Sequence, residues 1–297
     1  MSNPVGNFAK KYLAIIYDTE THNKDKPRII ESAYGYVDEA GKLDVDTIRL
    51  ERFNPGVDIA WGAMATHHIL PEDIRDCPPS ESFRLPKDVQ YVIGHNVAFD
   101  MAGAAGCDPV ENDPKNYKTI CTLALGRKAW PEQETFTQSA LFYMLHERNG
   151  LSLREAREFL RNAHSADADI QICNFIFQEI IDWSRPYLSR IPSIVGATED
   201  LSLMESLHIL SRAAMVPMEL SFGKHKGTAP HLVPRDYKQW YMGTESADQG
   251  VVIAMTQGTR NAEEMATYKL AVEVFGSAER IEMESVQPSL FKFKTAG

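Results

Sequence analysis

The chain has 297 residues, of which 43% are hydrophobic and 24% charged, a balance typical of a globular protein rather than a disordered or fibrous one. It contains no run of about 18 apolar residues, so we expect no membrane-spanning helix and no membrane association. The formal net charge of −10 argues against a broad basic surface for nucleic acid but leaves room for a local contact with phosphate.

The cysteines and the first residues bear on the cellular compartment. Cys77, Cys107, Cys121 and Cys173 lie far apart and form no C-x-x-C pair, so we expect structural thiols rather than a disulfide or zinc framework. The first residues lack the basic and then apolar order of a signal peptide. Together these features predict a reduced, cytoplasmic protein.

The first half of the chain predicts an antiparallel meander followed by a strand that leads into a helix. Strands are predicted over 13–21, 27–38, 46–53 and 89–94, with a turn at 39–42. Pro71 and the acids after it are typical of the first turn of a helix. Residues 101–105 can be helical, and 118–125 predict a further strand or the start of a helix.

The second half is predicted to be mainly helical. Helices are predicted over 138–145, 153–160, 167–183, 200–215 and 262–275. Thr198 or Asp200 would cap the helix at 200–215, and the prolines between 186 and 192 mark a candidate boundary. The tail at 282–297 has weak strand character.

Two carboxylates end the first predicted strand. Asp18 and Glu20 are two residues apart, and alternate residues of a strand share a face, so both side chains can point the same way. Repulsion and burial make such a pair costly unless a cation offsets the charge, and Mg²⁺ and Mn²⁺ favour carboxylate oxygen. Taken alone, the same pattern more often starts a solvated loop.

Three further residues extend this set. Asp100 follows the predicted strand 89–94, Asp169 opens the helix at 167–183, and His164 lies just before that helix. Four carboxylates and one imidazole from separate segments suit two-metal hydrolysis of a phosphodiester, in which a histidine deprotonates the attacking water. His164 alone would more often be a surface or capping residue, but its spacing to Asp169 favours the base, and Asp167 is interpreted as a helix N-cap. Glu31 is interpreted as a structural partner for a backbone or basic group.

The segments 18–21, 94–100 and 164–169 resemble, in order and spacing, the three motifs of the DnaQ-like DEDDh family of 3′→5′ exonucleases. The segments 62–69, 119–131 and 221–227 look like the exodeoxyribonuclease X branch of that family, with its F-G-K-x-x-G motif. The resemblance covers about residues 12–243. The insertion around 108–116 and the extension 244–297 depart from it.

This resemblance implies an α/β, RNase H-like fold, with a mixed five-stranded sheet flanked by helices and a small C-terminal appendage. It implies an exonuclease domain at 1–185, a linker and helix at 186–218, and a C-terminal segment at 219–297.

The resemblance also implies roles for individual residues. Asp18, Glu20 and Asp169 would hold the first of two metal ions. Asp18 would also contact the second ion, Asp100 would act directly or through water, and His164 would be the general base. The pocket for the 3′-terminal nucleotide would be lined by Thr21, His67, Asn96 and Phe99, although Phe99 could instead belong to the core.

We therefore expect a 3′→5′ exodeoxyribonuclease that uses two Mg²⁺ or Mn²⁺ ions per site and releases nucleoside 5′-monophosphates from single-stranded or duplex DNA ends. The alternatives are an RNA exonuclease and a catalytically idle nucleic-acid-binding scaffold on the same fold. A homodimer and a protein partner for residues 244–297 are left open.

A locally basic turn at 223–227 adds two alternatives. Its lysines and amides could contact a nucleic-acid backbone, or its glycines could simply serve a tight turn. Trp240 and Tyr241 are expected to form the small core of this segment rather than a stacking surface.

Overall fold

The computed structural model describes residues 12–161 and 165–276, and within these ranges the chain forms one five-stranded sheet with helices around it. The strands are β1 (Ala14–Thr21), β2 (Ile29–Val37), β3 (Arg49–Arg52), β4 (Tyr91–Gly94) and β5 (Lys118–Cys121). Their order in the sheet is β3-β2-β1-β4-β5. The predicted mixed five-stranded sheet is confirmed.

The strand directions follow from the lengths of the connections. β1, β2 and β3 pair antiparallel, as the predicted meander requires, and are joined by connections of seven and 11 residues. β4 pairs parallel with β1 and β5 pairs parallel with β4, each after a longer connection. β1 is therefore the central strand, and its apolar residues are buried. The carboxyl ends of β1, β4 and β5 point the same way.

Helices pack against the sheet, and the chain after β5 is mainly helical. In the described ranges they are α1 (Trp61–His67), α2 (Pro71–Ile74), α3 (Val97–Cys107), α4 (Thr122–Ala129), α5 (Gln138–Arg148), α6 (Leu153–Leu160), α7 (Ala166–Leu188), α8 (Ile191–Val195), α9 (Leu203–Ala214), α10 (Arg235–Met242), α11 (Gln249–Thr256) and α12 (Ala262–Phe275). α7 packs against β1 and β2, whereas α3 packs against β1, β4 and β5. None of the helices in these ranges is long and apolar enough to span a bilayer.

The element boundaries correct several details of the sequence prediction. β3 is shorter than predicted because Val45–Thr47 form a 3₁₀ turn capped by the Asp44 side chain. The segment 118–125 contains both a strand and the start of α4. α7 continues through Pro186 to Leu188, so no break occurs at this proline. α11 was not predicted.

Two predicted helix caps are wrong. Ser202, rather than Thr198 or Asp200, caps α9, because its hydroxyl accepts the Glu205 amide at 3.2 Å. Ser165, rather than Asp167, occupies the N-cap position of α7, and its hydroxyl donates to the Asp167 carboxylate.

The described residues bury apolar side chains in three clusters, of which two include the C-terminal helices. The larger core lies between the sheet and its helices and includes Ile253 of α11 and Leu270 of α12. A smaller core joins Leu220, Val233, Tyr237, Tyr241 and three residues of α11. The four cysteines are unpaired, as predicted. The predicted strand character of 282–297 and the predicted base His164 lie outside the described residues.

Candidate active site

Three carboxylates meet where the end of β1 faces the first turn of α7. Asp18 and Glu20 lie on β1 and Asp169 lies on α7, and one oxygen from each lies within 4.8 Å of the other two. Asp18 is 9% exposed and Asp169 is buried, whereas Glu20 is half-buried. The structure thus brings together three of the four carboxylates that the sequence singled out.

Strand alternation explains which side chains meet. Asp18 and Glu20 share the face of β1 that meets Asp169 of α7, and Thr19 lies on the opposite face, where it contacts α3. Asp100 lies in the first turn of α3. Its Oδ1 accepts the Thr19 amide at 3.1 Å and the Thr19 hydroxyl at 2.8 Å. Asp100 is therefore tied to the backbone of the strand that carries Asp18 and Glu20.

Glu31 fixes the start of α7 against the sheet. It is 1% exposed and is the cross-strand partner of Glu20. Its Oε1 accepts the Ala166 amide at 3.1 Å, and its Oε2 accepts Arg52 Nε at 2.7 Å. The interpretation of Glu31 as a partner for backbone and basic groups is confirmed, and the contact with Ala166 sets the helix turn that carries Asp169.

The electrostatics of this site disfavour negative charge. Burial, followed by repulsion from Asp100, Asp169 and Glu20, raises the pKa of Asp18 well above its usual range. Burial and repulsion from Asp169 raise the pKa of Glu20 to about 8.

Burial also raises the pKa of Asp100 to about 7, although the hydrogen bonds from Thr19 oppose this rise. In the protein alone, these carboxyl groups therefore retain protons at pH values where exposed carboxyl groups are ionised.

Two of the four residues predicted to bind the nucleotide are hydrogen-bonded to nearby backbone. The Thr21 hydroxyl donates to the Asn23 carbonyl at 3.0 Å, and His67 Nδ1 accepts the Ile69 amide at 3.0 Å. Asn96 is exposed and has a left-handed backbone conformation, with φ of 69°, at the start of α3. Phe99 is partly exposed. Their contact with a nucleotide stays a prediction.

Sequence reasoning missed one exposed aromatic residue near this end of the sheet. Trp61 begins α1 and is 85% exposed. The preceding residue, Ala60, donates its amide to the carbonyl of His22 at 2.9 Å, just beyond β1. Ala63 and Met64 of the same helix pack on a small apolar cluster, which turns Trp61 outwards. The helical spacing of Ala63, Met64 and His67 was the signal that could have identified Trp61 as exposed.

Comparison with known proteins gives a likeness to solved structures only. No family model matches the chain, and no curated protein matches its sequence. Exonuclease X in complex with 5′-overhanging duplex DNA is 20% identical, with a TM-score of 0.42 over 66% of this chain and 99% of that one.

Two exonuclease I structures show a similar level of likeness. Escherichia coli exonuclease I with a dT13 oligonucleotide is 16% identical, with a TM-score of 0.46 over 60% of this chain and 43% of that one. The moderately thermophilic exonuclease I from Methylocaldum szegediense is 18% identical, with a TM-score of 0.43 over 69% and 46% of the two chains. The chain thus spans less than half of these exonuclease I structures.

Proposed function

We propose that the protein is a metal-dependent 3′→5′ exonuclease of the DnaQ-like DEDDh type that hydrolyses DNA to nucleoside 5′-monophosphates. The observation that carries the proposal is the cluster of Asp18, Glu20 and Asp169, whose oxygens lie within 4.8 Å of one another at the end of the central strand. Its sequence support is the order and spacing of the three motifs that contain these residues.

The donor set fits a hard divalent cation. All three ligand atoms are carboxylate oxygens, which Mg²⁺ and Mn²⁺ prefer. Burial, followed by repulsion from neighbouring carboxylates, raises the pKa values of Asp18 and Glu20, and a bound cation would offset the cost of their negative charges. A pair of such ions would lower the pKa of the attacking water and stabilise the leaving oxygen.

Each carboxylate has a proposed part. Asp18, Glu20 and Asp169 hold the first ion, and Asp18 also holds the second. Asp100 acts directly or through water, with Oδ2 as the oxygen that we assign to the site, because Thr19 holds Oδ1 through two hydrogen bonds. That pair of bonds fixes the rotation of the carboxylate before the substrate arrives.

His164 is the proposed general base. It precedes Asp169 by five residues, and an imidazole can accept a proton near neutral pH. In this role it takes the proton from the attacking water beside the carboxylates. The assignment depends on sequence spacing alone.

Substrate contacts complete the proposal. Thr21, His67, Asn96 and Phe99 are assigned to the 3′-terminal nucleotide. We add Trp61, because an indole ring that is 85% exposed offers a face on which a base can stack.

The test is digestion of a 5′-labelled single-stranded DNA and the matching RNA, with Mg²⁺, Mn²⁺ or EDTA, resolved on a gel. We expect a metal-dependent ladder that shortens from the 3′ end, faster on DNA. The variant Asp18→Asn should lose at least about 1,000-fold in rate, because the charged carboxylate proposed to hold both ions becomes a neutral amide with one acceptor oxygen. Asp76→Asn, an exposed carboxyl group on the surface, is the matched control.

Three results would overturn the proposal. They are cleavage in EDTA, no cleavage of either polymer, and digestion by Asp18→Asn at the wild-type rate. Faster digestion of RNA would keep the chemistry and change the substrate class.

A further inference from the structure

We propose that a basic and aromatic surface formed by Phe222, Lys224, Lys226 and Trp240, here called the lysine–tryptophan surface, binds a single strand of nucleic acid. The proposal extends the proposed function, since it adds a second contact for the same class of substrate outside the carboxylate site.

The loop that carries the two lysines has a fixed shape. Its ends are paired, because the Leu220 amide donates to the Thr228 carbonyl at 3.0 Å and the Gly227 amide donates to the Leu220 carbonyl at 2.8 Å. Gly223 and Gly227 adopt positive φ values of 66° and 81°, which favour glycine. A Cβ at Gly223 would lie 2.9 Å from the Tyr237 hydroxyl, so the loop approaches α10 closely.

The loop is basic in an acidic chain. Residues 220–235 include Lys224, Lys226 and Arg235 but no aspartate or glutamate, although the whole chain carries a net charge of −10. Both lysines are exposed. Within the ranges that the structure describes, neither lysine forms an ion pair with a carboxylate. Their charges are therefore available to an anionic partner.

Aromatic rings lie beside Lys224. Trp240 is 61% exposed, which corrects the prediction that it belongs to the small core, whereas Tyr241 is buried as predicted. The ring centroid of Trp240 lies 5.3 Å from that of Tyr237, and Lys224 Nζ lies 5.6 Å from the centroid of the same Tyr237 ring. Phe222, 37% exposed, stacks on Tyr241 at 5.5 Å. Two buried tyrosines thus support two exposed rings.

This combination fits single-stranded nucleic acid. Lysine ammonium groups attract backbone phosphates, and an exposed indole offers a face to any base, so binding of this kind tolerates sequence. A structural turn would require the glycines but would not require unpaired lysines beside an exposed tryptophan. The charge contrast with the rest of the chain would also direct a strand to this surface.

The experiment measures binding of 5′-fluorescein dT20 and rU20 to the full chain by anisotropy in EDTA, over a series of salt concentrations. In Lys224→Ala/Lys226→Ala, the slope of log Kd against log salt should fall by about 1.4, because each phosphate contact to a single strand contributes about 0.7. Trp240→Ala should weaken binding at least about fivefold.

Matched variants separate binding from folding. Lys224→Arg/Lys226→Arg keeps the two positive charges, and Trp240→Phe keeps an aromatic ring. Each variant should therefore restore most of the affinity that the matching alanine variant loses. The control Lys42→Ala/Lys269→Ala makes the same change of charge at two exposed lysines outside the surface, and should leave the slope unchanged.

The outcomes distinguish this proposal from the proposed function, because no cleavage is required. Wild-type affinity in both alanine variants, an equal loss in the control, or no binding by the wild type would overturn it. Heparin is an anionic polymer without bases. We therefore expect its binding to weaken in Lys224→Ala/Lys226→Ala but not in Trp240→Ala. An equal loss of dT20 and heparin on Trp240→Ala would also overturn it, because it would indicate damage to the surface rather than loss of base stacking.

Discussion

Asp18 is 9% exposed and is repelled by the carboxylates of Asp100, Asp169 and Glu20. Concentrating four carboxyl groups at the end of one strand costs free energy in the protein alone, and protons partly relieve that cost because burial raises the pKa values. The residues that favour a cation should therefore be the residues that destabilise the metal-free fold.

The substitution Asp18→Asn tests whether a carboxylate that favours a cation also destabilises the metal-free protein. Asparagine keeps the size of the side chain but removes one charge, so the metal-free protein should gain stability at pH 8, with a melting temperature higher by about 2–4 °C for each kcal/mol of repulsion removed. Differential scanning fluorimetry in EDTA would measure the gain. Added Mg²⁺ should raise the melting temperature of the wild type more than that of the variant. A lower melting temperature in EDTA for Asp18→Asn would contradict the account.

Glu31→Gln tests how the start of α7 is held. Glutamine has one acceptor oxygen, so it cannot accept from both Arg52 Nε and the Ala166 amide as Glu31 does. We expect a loss of about 1–3 kcal/mol in the free energy of unfolding by urea.

If Glu31 had only a structural role, Glu31→Gln would lower stability and leave metal binding unchanged. Because Ala166 begins the turn that carries Asp169, we also expect weaker Mn²⁺ binding by calorimetry under conditions in which the variant is fully folded. The control is Glu51→Gln, an exposed glutamate on the neighbouring strand β3. Unchanged Mn²⁺ affinity in Glu31→Gln would limit the residue to stability.

Helix α9 illustrates how local signals are resolved at the scale of an element. Three residues whose side chains can cap a helix, Thr198, Asp200 and Ser202, lie within five positions. The sequence prediction named Thr198 or Asp200 as the cap, which was wrong. The structure selects Ser202, which accepts the Glu205 amide. The choice depends on where the packed face of the helix begins, which is a tertiary property.

Ser202→Ala should therefore cost about 1 kcal/mol of unfolding free energy, because a helix N-terminal amide loses its partner. Thr198→Ala and Asp200→Ala should each stay within about 0.5 kcal/mol of the wild type, since these residues lie outside the helix. Urea denaturation of the three variants side by side would measure the differences. A larger loss for Asp200→Ala than for Ser202→Ala would contradict the assigned cap.

The predictable parts of the fold are those with strong local periodicity. The apolar strand before Asp18, the amphipathic face of α7 and the strand-to-helix step before Asp100 all follow from spacing, and together they place the carboxylates. Short elements follow less well: a local 3₁₀ turn shortens the exposed strand β3, and α11 depends on long-range packing more than on its own pattern.

The exposure of Trp240 was beyond local pattern. It resembles a core residue in sequence, and only the packing of its neighbours turns it outwards. The paired hydrogen bonds from Thr19 to Asp100 join residues 81 positions apart, and no local signal marks them.

At the scale of the whole molecule, the C-terminal helices belong to two cores at once. α11 contributes to the small core through Val251 and to the large core through Ile253, while Leu270 of α12 is fully buried in the large core. α12 packs against α8 and α9. Deleting residues 244–297 would therefore remove packed core as well as any partner site.

Leu270→Ala should lower the free energy of unfolding by about 2–5 kcal/mol, because it leaves a cavity in a fully buried position. Met265→Ala, at an exposed position of the same helix, is the control and should change it by less than about 1 kcal/mol. Chemical denaturation measures both. Equal, small effects would indicate that α12 is not required by the larger core.

The pH dependence of stability is the global consequence of the carboxylate cluster. The pKa of Glu20 is about 8 and that of Asp100 about 7 in the folded chain, whereas both are near 4 when exposed. Between these values the folded protein binds more protons than the unfolded chain, so the stability of the metal-free protein should fall as pH rises from about 4.5 to 8. Each retained proton contributes a slope of about 1.4 kcal/mol per pH unit.

Urea unfolding in EDTA at pH 5.5, 6.5, 7.5 and 8.5 would measure this slope. Mg²⁺ should flatten it, because a cation replaces the protons and the carboxylates then ionise without loss of stability. Glu20→Gln should flatten it without metal, since the amide does not titrate. If the metal-free wild type instead became more stable between pH 6 and pH 8, the carboxylates would have to be ionised and stabilised by groups of the protein itself, and the argument for a cation at this site would lose its physical basis.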